Sequence, residues 1–174
     1  MKKLESTWYN MALVLTGIAV VAGAALGYVN SITAPTIEAI KTQQEKAAEQ
    51  EVLNGQQGTA IKVTDPKGFG GALTVMVGLA QDGTVLGYKV LESSETPGLG
   101  AKADFWFQEG QKGDIIGKTA GSLTVSKDGG DVDAITASTI TSRAFLRCIN
   151  AAYEKLSESN ADGQSGATKQ EIEE

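Results

Sequence analysis

The side chains best suited to chemistry lie in one short stretch, between Asp133 and Ser142. Its hydroxyl residues are Thr136, Ser138, Thr139, Thr141 and Ser142. Hydroxyls at the beginning of a helix usually cap it, because they accept hydrogen bonds from backbone amides that lack a partner within the helix. The same free amides, together with the positive end of the helix dipole, also favour a phosphate group. The residues alone therefore leave two interpretations open, helix caps or an anion site.

A second candidate is a loop that reads S-E-T-P-G-L-G at residues 94–100. Taken alone, this pattern predicts a tight turn. Glycine has no side chain, so the backbone of such a loop can also approach a bound ring closely. The aromatic run at residues 105–107 could flank a ring, but such clusters are more typical of a core. We expect Cys148 to be a packed thiol within the last helix.

The composition excludes several classes of function. The chain contains no histidine and a single cysteine, which removes the usual ligand sets of haem and catalytic zinc and any disulfide within the chain. Its net charge of −6 is unsuited to binding nucleic acid. Redox chemistry here would therefore require an organic cofactor or a partner's metal.

The first element that must position these residues is an apolar segment near the N-terminus. Residues 11–29 form a run of 19 residues without a charge, enough to cross a hydrocarbon core ~30 Å thick. A cleaved signal peptide is the alternative, but the run is longer than the ~7–15 residues of the apolar region in a signal peptide, so we expect a retained anchor. Lys2 and Lys3 precede the run, and the first charge after it is Glu38. The positive-inside tendency then predicts a cytoplasmic N-terminus and a domain on the other side.

Beyond the anchor, the pattern predicts strands at residues 61–64, 73–80, 84–92 and 122–126. The pair Asp82-Gly83 lies between the second and third of these strands. Because this pair favours the positive φ angles of a tight turn, it predicts a β-hairpin.

Two helices are predicted in addition to the membrane span. One begins at Thr33-Ala34-Pro35 and runs to about Leu53, since threonine suits a cap and proline the first turn. The other runs from Ser142 to Leu156 with an apolar face formed by Phe145, Ile149, Ala152, Tyr153 and Leu156. The polar sequence after Leu156 predicts a disordered acidic tail.

The hydroxyl stretch also carries a family resemblance. Residues 133–139 read D-A-I-T-A-S-T, which resembles the flavinylation pattern D-x-x-(S/T)-G-A-T, and the usual x-T-S extension follows at residues 140–142. The E-T-P-G-L-G loop and the glycine-rich segment 68–71 match as well. Together with the anchor and the order of elements, these motifs resemble the G subunit of Rnf complexes, which is related to the C subunit of sodium-pumping NADH:quinone oxidoreductases.

The resemblance implies FMN joined by a phosphoester to Thr139, the last threonine of the pattern. Ala137 and Ser138 stand where the pattern has glycine and alanine, so we expect the backbone at Ala137 to avoid conformations that only glycine tolerates. Residues 162–168 match the pattern letter for letter, which makes Thr168 a rival acceptor. We favour Thr139, because only this threonine is followed by the extension and a helix.

The fold implied is α+β, with one N-terminal transmembrane helix and a small FMN-binding domain whose antiparallel sheet is packed by helices. Residues 1–30 would be the anchor, 31–55 a juxtamembrane helix, 56–157 the FMN-binding domain and 158–174 the tail. The implied cofactor-binding residues are Thr136, Ser138, Thr139, Thr141, Glu95, Thr96, Gly98, Leu99 and Gly100, with no catalytic residue and no metal ligand.

The function implied is electron transfer within an Rnf-type, ion-translocating ferredoxin:NAD oxidoreductase complex, without turnover by this subunit alone. Its partners would be other membrane and iron–sulfur subunits, and a flavin transferase for maturation. The location implied is the cytoplasmic membrane, with the FMN domain on the extracytoplasmic side. The alternative is an extracytoplasmic, membrane-anchored binding or scaffold module without redox activity.

Overall fold

A computed structural model of the protein describes residues 7–164, with side chains described through Asn160. The chain divides into two units, residues 1–43 and 44–174. The described part of the first unit is mainly the N-terminal part of helix α1, which runs from Trp8 to Leu53. This helix is long and apolar enough to cross a membrane, and its large apolar side chains between Trp8 and Ile40 are exposed.

The predicted separate helix starting at Thr33 is wrong, because α1 continues without a break through Pro35. The Thr33 hydroxyl does not cap a new helix. It donates instead to the backbone oxygen of Val29, 2.9 Å away in the preceding turn. Ser31 donates in the same way to the oxygen of Tyr28, so hydroxyls in this segment bond back along the helix.

A three-stranded antiparallel sheet forms the centre of the second unit. Its strands are β1 (Thr59–Asp65), β2 (Leu73–Leu79) and β3 (Val85–Ser93), in the order β1-β2-β3. The three strands predicted in this region are confirmed. The predicted hairpin is also confirmed: Gly83 has a φ of +84°, and Asp82 accepts a hydrogen bond from the Thr84 amide.

Both faces of the central strand β2 are covered, which explains why every one of its residues is buried. Val75 and Val77 on one face pack in the main core with residues of the last helix. On the other face, Met76 packs against Ala48 and Val52 at the end of α1. Gly78 lies directly beneath this helix end, where any side chain would collide with the backbone of Val52.

The connection after the sheet contains the short helix α2 (Ala103–Trp106) and two 3₁₀ turns, Gly100–Lys102 and Ser126–Asp128. The strand predicted at residues 122–126 is wrong, since this segment forms only an isolated bridge between Val125 and Val132. The side chain of Asn150 forms the hydrogen bonds that a neighbouring strand would otherwise provide. Its oxygen accepts from the amides of Gly121 and Leu123, and its nitrogen donates to the Leu123 oxygen.

The last helix, α3, runs from Thr139 to Gln164 and is longer at both ends than predicted. Its predicted apolar face is confirmed, because Phe145, Ile149, Ala152 and Leu156 are buried in the main core. Residues 158–164, which were expected to belong to the tail, continue the helix. The remainder of the predicted tail, including Thr168, lies outside the described residues. The α+β class with one long apolar N-terminal helix is confirmed.

Candidate functional site

Three separate segments of the second unit meet around one cavity of about 350 Å³. They are the glycine-rich loop before β2, the E-T-P-G-L-G loop after β3 and the first turn of α3. The lining residues are Phe69, Glu95, Thr96, Leu99, Gly100, Ala137, Ser138, Thr139 and Ile140. The volume falls within the ~300–1,000 Å³ of ligand pockets. Two motifs some 40 residues apart in sequence thus form a single site.

Thr139 is the first residue of α3 and is half-buried at the edge of this cavity. Its hydroxyl oxygen accepts a hydrogen bond from the ammonium group of Lys127 at 3.3 Å. Lys127 is exposed on the 3₁₀ turn Ser126–Asp128. This lysine was not predicted as a site residue, because a separation of 12 residues across a loop gives no signal of the contact.

Three other hydroxyls of the stretch, those of Ser138, Thr141 and Ser142, form structural hydrogen bonds. Ser142 Oγ accepts from the amide of Ile135 at 2.9 Å and donates to the backbone oxygen of Ser138 at 3.0 Å. The hydroxyls of Ser138 and Thr141 bond to each other at 3.1 Å, and Thr141 is fully buried. Thr136 is exposed and does not line the cavity. Thr139 therefore differs from Ser138, Thr141 and Ser142 in receiving its hydrogen bond from an exposed lysine, and it lines the cavity.

A tight turn brings the hydroxyl stretch into the helix. The Ser138 amide donates to the Ile135 oxygen at 3.0 Å, and Ala137, in the third position of this turn, has a φ of +60°. A positive φ at that position is the signature of a type II turn, which favours glycine. The expectation that Ala137 avoids a glycine-type conformation is therefore wrong, because its φ lies in the left-handed region that favours glycine.

Glu95 connects the two loops that line the cavity. The residue is 7% exposed, and Oε1 of its carboxylate accepts from the amide of Phe69 at 2.7 Å. The other oxygen, Oε2, is buried and has no hydrogen-bond partner among the described residues. Because an unpaired buried acceptor is costly, this oxygen indicates that a donor group from a ligand belongs in the cavity.

Glycine is required at two positions of the E-T-P-G-L-G loop for different reasons. Gly98 has a φ of +79° with open space around it, so it serves the turn. Gly100 has no space for a side chain, because a Cβ atom there would collide with Glu95 Oε2 and lie 2.8 Å from Thr141 Oγ1. Thr96 anchors the loop, since its backbone oxygen accepts from the amides of Leu99 and Ala101.

Apolar side chains form the mouth of the cavity. Phe69 is 68% exposed, Ile140 is 50% exposed and Leu99 is 41% exposed, although all three line the site. Phe69 was predicted only as part of the glycine-rich segment 68–71. The aromatic run at residues 105–107 lies elsewhere: Phe107 is buried and stacks on Phe145 with ring centroids 4.3 Å apart.

The remaining ionisable groups of interest have structural surroundings. Burial raises the pKa of the Cys148 thiol to about 11, and its sulfur lies against the Leu73 oxygen rather than in the cavity. Arg143 forms two hydrogen bonds to Asp128, which hold the pKa of that carboxyl below its usual value. Within residues 7–164, no group of three or more acidic, cysteine or histidine side chains could hold a metal ion.

The sequence profile of the FMN-binding domain family matches residues 68–154, a range that contains every residue lining the cavity. The chain is 35% identical over 136 residues to the G subunit of the ion-translocating oxidoreductase complex of Vibrio atlanticus, covering 75% of this chain and 65% of that protein. It is 40% identical over 94 residues to the corresponding G subunit of Yersinia pestis, covering 52% of this chain and 45% of that protein.

A third relative aligns along nearly its whole length. This is the G subunit of the Na⁺-translocating ferredoxin:NAD⁺ oxidoreductase complex of Acetobacterium woodii, 30% identical over 207 residues, covering 90% of this chain and 98% of that protein. The chain therefore belongs to the FMN-binding domain family and, within it, to the G subunits of the ion-translocating oxidoreductase complexes.

Proposed function

We propose that this chain is a membrane-anchored electron-transfer subunit of an ion-translocating ferredoxin:NAD⁺ oxidoreductase complex and that it carries FMN on Thr139. The observation that carries the proposal is the cavity itself. An available hydroxyl lies at its edge, an unpaired buried carboxylate oxygen borders it, and apolar side chains form its mouth.

Thr139 is favoured over the other hydroxyls because of its hydrogen bonding and exposure. Ser138, Thr141 and Ser142 bond to one another or to the backbone, whereas Thr139 receives a single bond from a flexible surface lysine. Attachment forms a bond between Thr139 Oγ and the phosphorus of an activated flavin nucleotide. The hydroxyl proton is lost, and the bond from phosphorus to the leaving group breaks.

The residues around the cavity suit the parts of FMN. Glu95 Oε2 would accept a hydrogen bond from a flavin N–H or a ribityl hydroxyl, both of which are donors. Phe69, Leu99 and Ile140 would cover part of the apolar ring, and Gly100 leaves the space that a side chain would fill. Ser138 and Thr96 complete the wall, while Thr136, Gly98 and Thr141 act by shaping the turns.

When bound, the flavin ring supplies the electron transfer itself, so the chain needs no acid–base pair. The residues of this chain instead fix where the ring lies and how much water reaches it. The exposed mouth of the cavity leaves one side accessible to a redox partner. Such partners would be membrane and iron–sulfur subunits of the same complex, and a flavin transferase would carry out the attachment.

The anchor supports a location in the cytoplasmic membrane. With Lys2 and Lys3 before the span, the FMN-binding domain would lie on the extracytoplasmic side. A dissociable cofactor would be lost there and not replaced. Covalent attachment removes that problem.

The test is peptide mass mapping of the chain purified from its native host, with Thr139→Ala and Thr168→Ala as a matched pair. We expect the mass increment of one FMN phosphoester on the peptide containing Thr139, absent in Thr139→Ala and retained in Thr168→Ala. Modification confined to Thr168 would overturn the attachment site. An unmodified, colourless chain would overturn the function and support a scaffold without redox activity.

A further inference from the structure

Lys127 has a position that the family pattern does not explain. Its ammonium group lies 3.3 Å from Thr139 Oγ, the atom to which the phosphate would be joined. Within the described part of the chain, Lys127 forms no ion pair with a carboxylate. A positive charge thus lies beside the proposed attachment atom without a counter-charge of its own.

The surrounding acidic residues are all engaged elsewhere. Asp128 is held by two hydrogen bonds from Arg143, at 2.6 and 2.7 Å, and Asp131 pairs with Lys118 at 2.8 Å. Asp133 accepts from the hydroxyl of Ser126 at 3.3 Å. The Arg143–Asp128 pair also fixes the 3₁₀ turn to α3, so the backbone that carries Lys127 is held beside Thr139.

A phosphoester on Thr139 would bring a negative charge to this point, because a phosphodiester keeps one ionised oxygen at neutral pH. Its two non-bridging oxygens would be bonded to the phosphorus, two bonds from Oγ, and within reach of the flexible lysine side chain. The unpaired Glu95 Oε2 in the same cavity is an independent indication that a ligand belongs here.

We infer that Lys127 is a positioning residue that binds the phosphodiester of the attached FMN and compensates its charge. The inference rests on the proposed attachment at Thr139. Lys127 contacts the phosphate and not the ring, so its role is to restrict where the tether points. Without it, the flavin would remain attached but would stabilise the folded domain less.

The test is a thermodynamic cycle on the full chain in detergent, produced with and without a flavin transferase. Urea unfolding is followed by far-UV circular dichroism for wild type and Lys127→Gln, each flavinylated and unmodified. The cycle subtracts any effect of the substitution on the unmodified fold. We expect flavinylation to lower the unfolding equilibrium constant roughly two- to fivefold more in wild type than in Lys127→Gln, the range of an exposed ion pair.

Two further variants define the interaction. Lys127→Arg should keep the wild-type coupling because it keeps the charge. Lys112→Gln should keep it because this equally exposed lysine follows α2 and, unlike Lys127, does not donate to Thr139 in the described structure. The coupling should shrink at 1 M salt, where the Debye length is ~3 Å. Equal stabilisation by flavinylation in wild type and Lys127→Gln would overturn the inference. Failure of the proposed function gives a different result, because peptide mapping would then find no flavin on the peptide containing Thr139.

Discussion

The positive φ of Ala137 makes a quantitative prediction about the turn before α3. An alanine in the left-handed region costs ~1–2 kcal/mol, a strain that glycine does not have. Glycine also increases the entropy of the unfolded chain, which lowers the stability of the fold by ~0.4–1 kcal/mol. Ala137 is exposed, so removing its methyl group forfeits little buried area. We therefore expect Ala137→Gly to raise the free energy of unfolding by about 0.5–1 kcal/mol.

The measurement is thermal or urea unfolding of the full chain in detergent. For a domain of about 100 residues, 1 kcal/mol corresponds to a change of ~4–8 °C in the unfolding midpoint, so the expected rise is roughly 2–8 °C. Ala101→Gly is the matched control. Ala101 is also exposed and lies in a tight 3₁₀ turn, but it is not among the residues with positive φ, so its substitution should lower stability. Equal destabilisation of both variants would refute the strain assigned to Ala137.

Three other substitutions or reactions examine the site and its support. Gly100→Ala should destabilise the domain by ~1–3 kcal/mol and lower flavin occupancy, measured by urea unfolding and intact mass, because the methyl group collides with Glu95; unchanged values would contradict the packing described. Burial raises the pKa of Asp65, but hydrogen bonds from Arg147 and the Lys67 amide outweigh this and hold that pKa below 3.8. Wild type should therefore be more stable than Asp65→Asn, as measured by urea midpoints, and the full difference should be present above about pH 5. It should vanish as the pH falls through the lowered pKa. A stability difference that grows in acid would contradict a lowered pKa of Asp65. Cys148 should resist a maleimide reagent at pH 8 in the native chain and react in urea, because it is buried and protonated; rapid native labelling detected by mass would refute that burial.

Local pattern was sufficient to predict most of the fold. The three strands of the sheet, the hairpin turn at Asp82-Gly83 and the apolar face of α3 follow from periodicity and turn chemistry, which depend on neighbouring residues. The strand expected at residues 122–126 failed for a non-local reason. Its backbone groups are satisfied by Asn150, a side chain 27 residues away on α3, and no alternation within the segment itself could reveal that.

The residues of the site were likewise predicted only where local sequence motifs identify them. Glu95, Leu99 and Gly100 were predicted through their motif, and the structure brings them beside the first turn of α3. Phe69 and Lys127 were missed as individual site residues because their roles depend on how distant loops close. An aromatic residue in a glycine-rich loop and a lysine in a surface turn are ordinary in sequence, and only the tertiary contacts distinguish them.

The early beginning of α3 determines which hydroxyl remains available. The sequence predicted the first helical residue at Ser142, which would leave Thr139 and Thr141 as equivalent loop hydroxyls. Because the helix begins at Thr139, Thr141 and Ser142 lie within its first turn, where both are fully buried. Ser142 then bonds across the strained turn to Ile135 and Ser138 and stabilises it. The turn at residues 135–138 therefore has two consequences. It places Ala137 at a strained positive φ, and it leaves Thr139 at the cavity edge while Thr141 and Ser142 are buried and hydrogen-bonded.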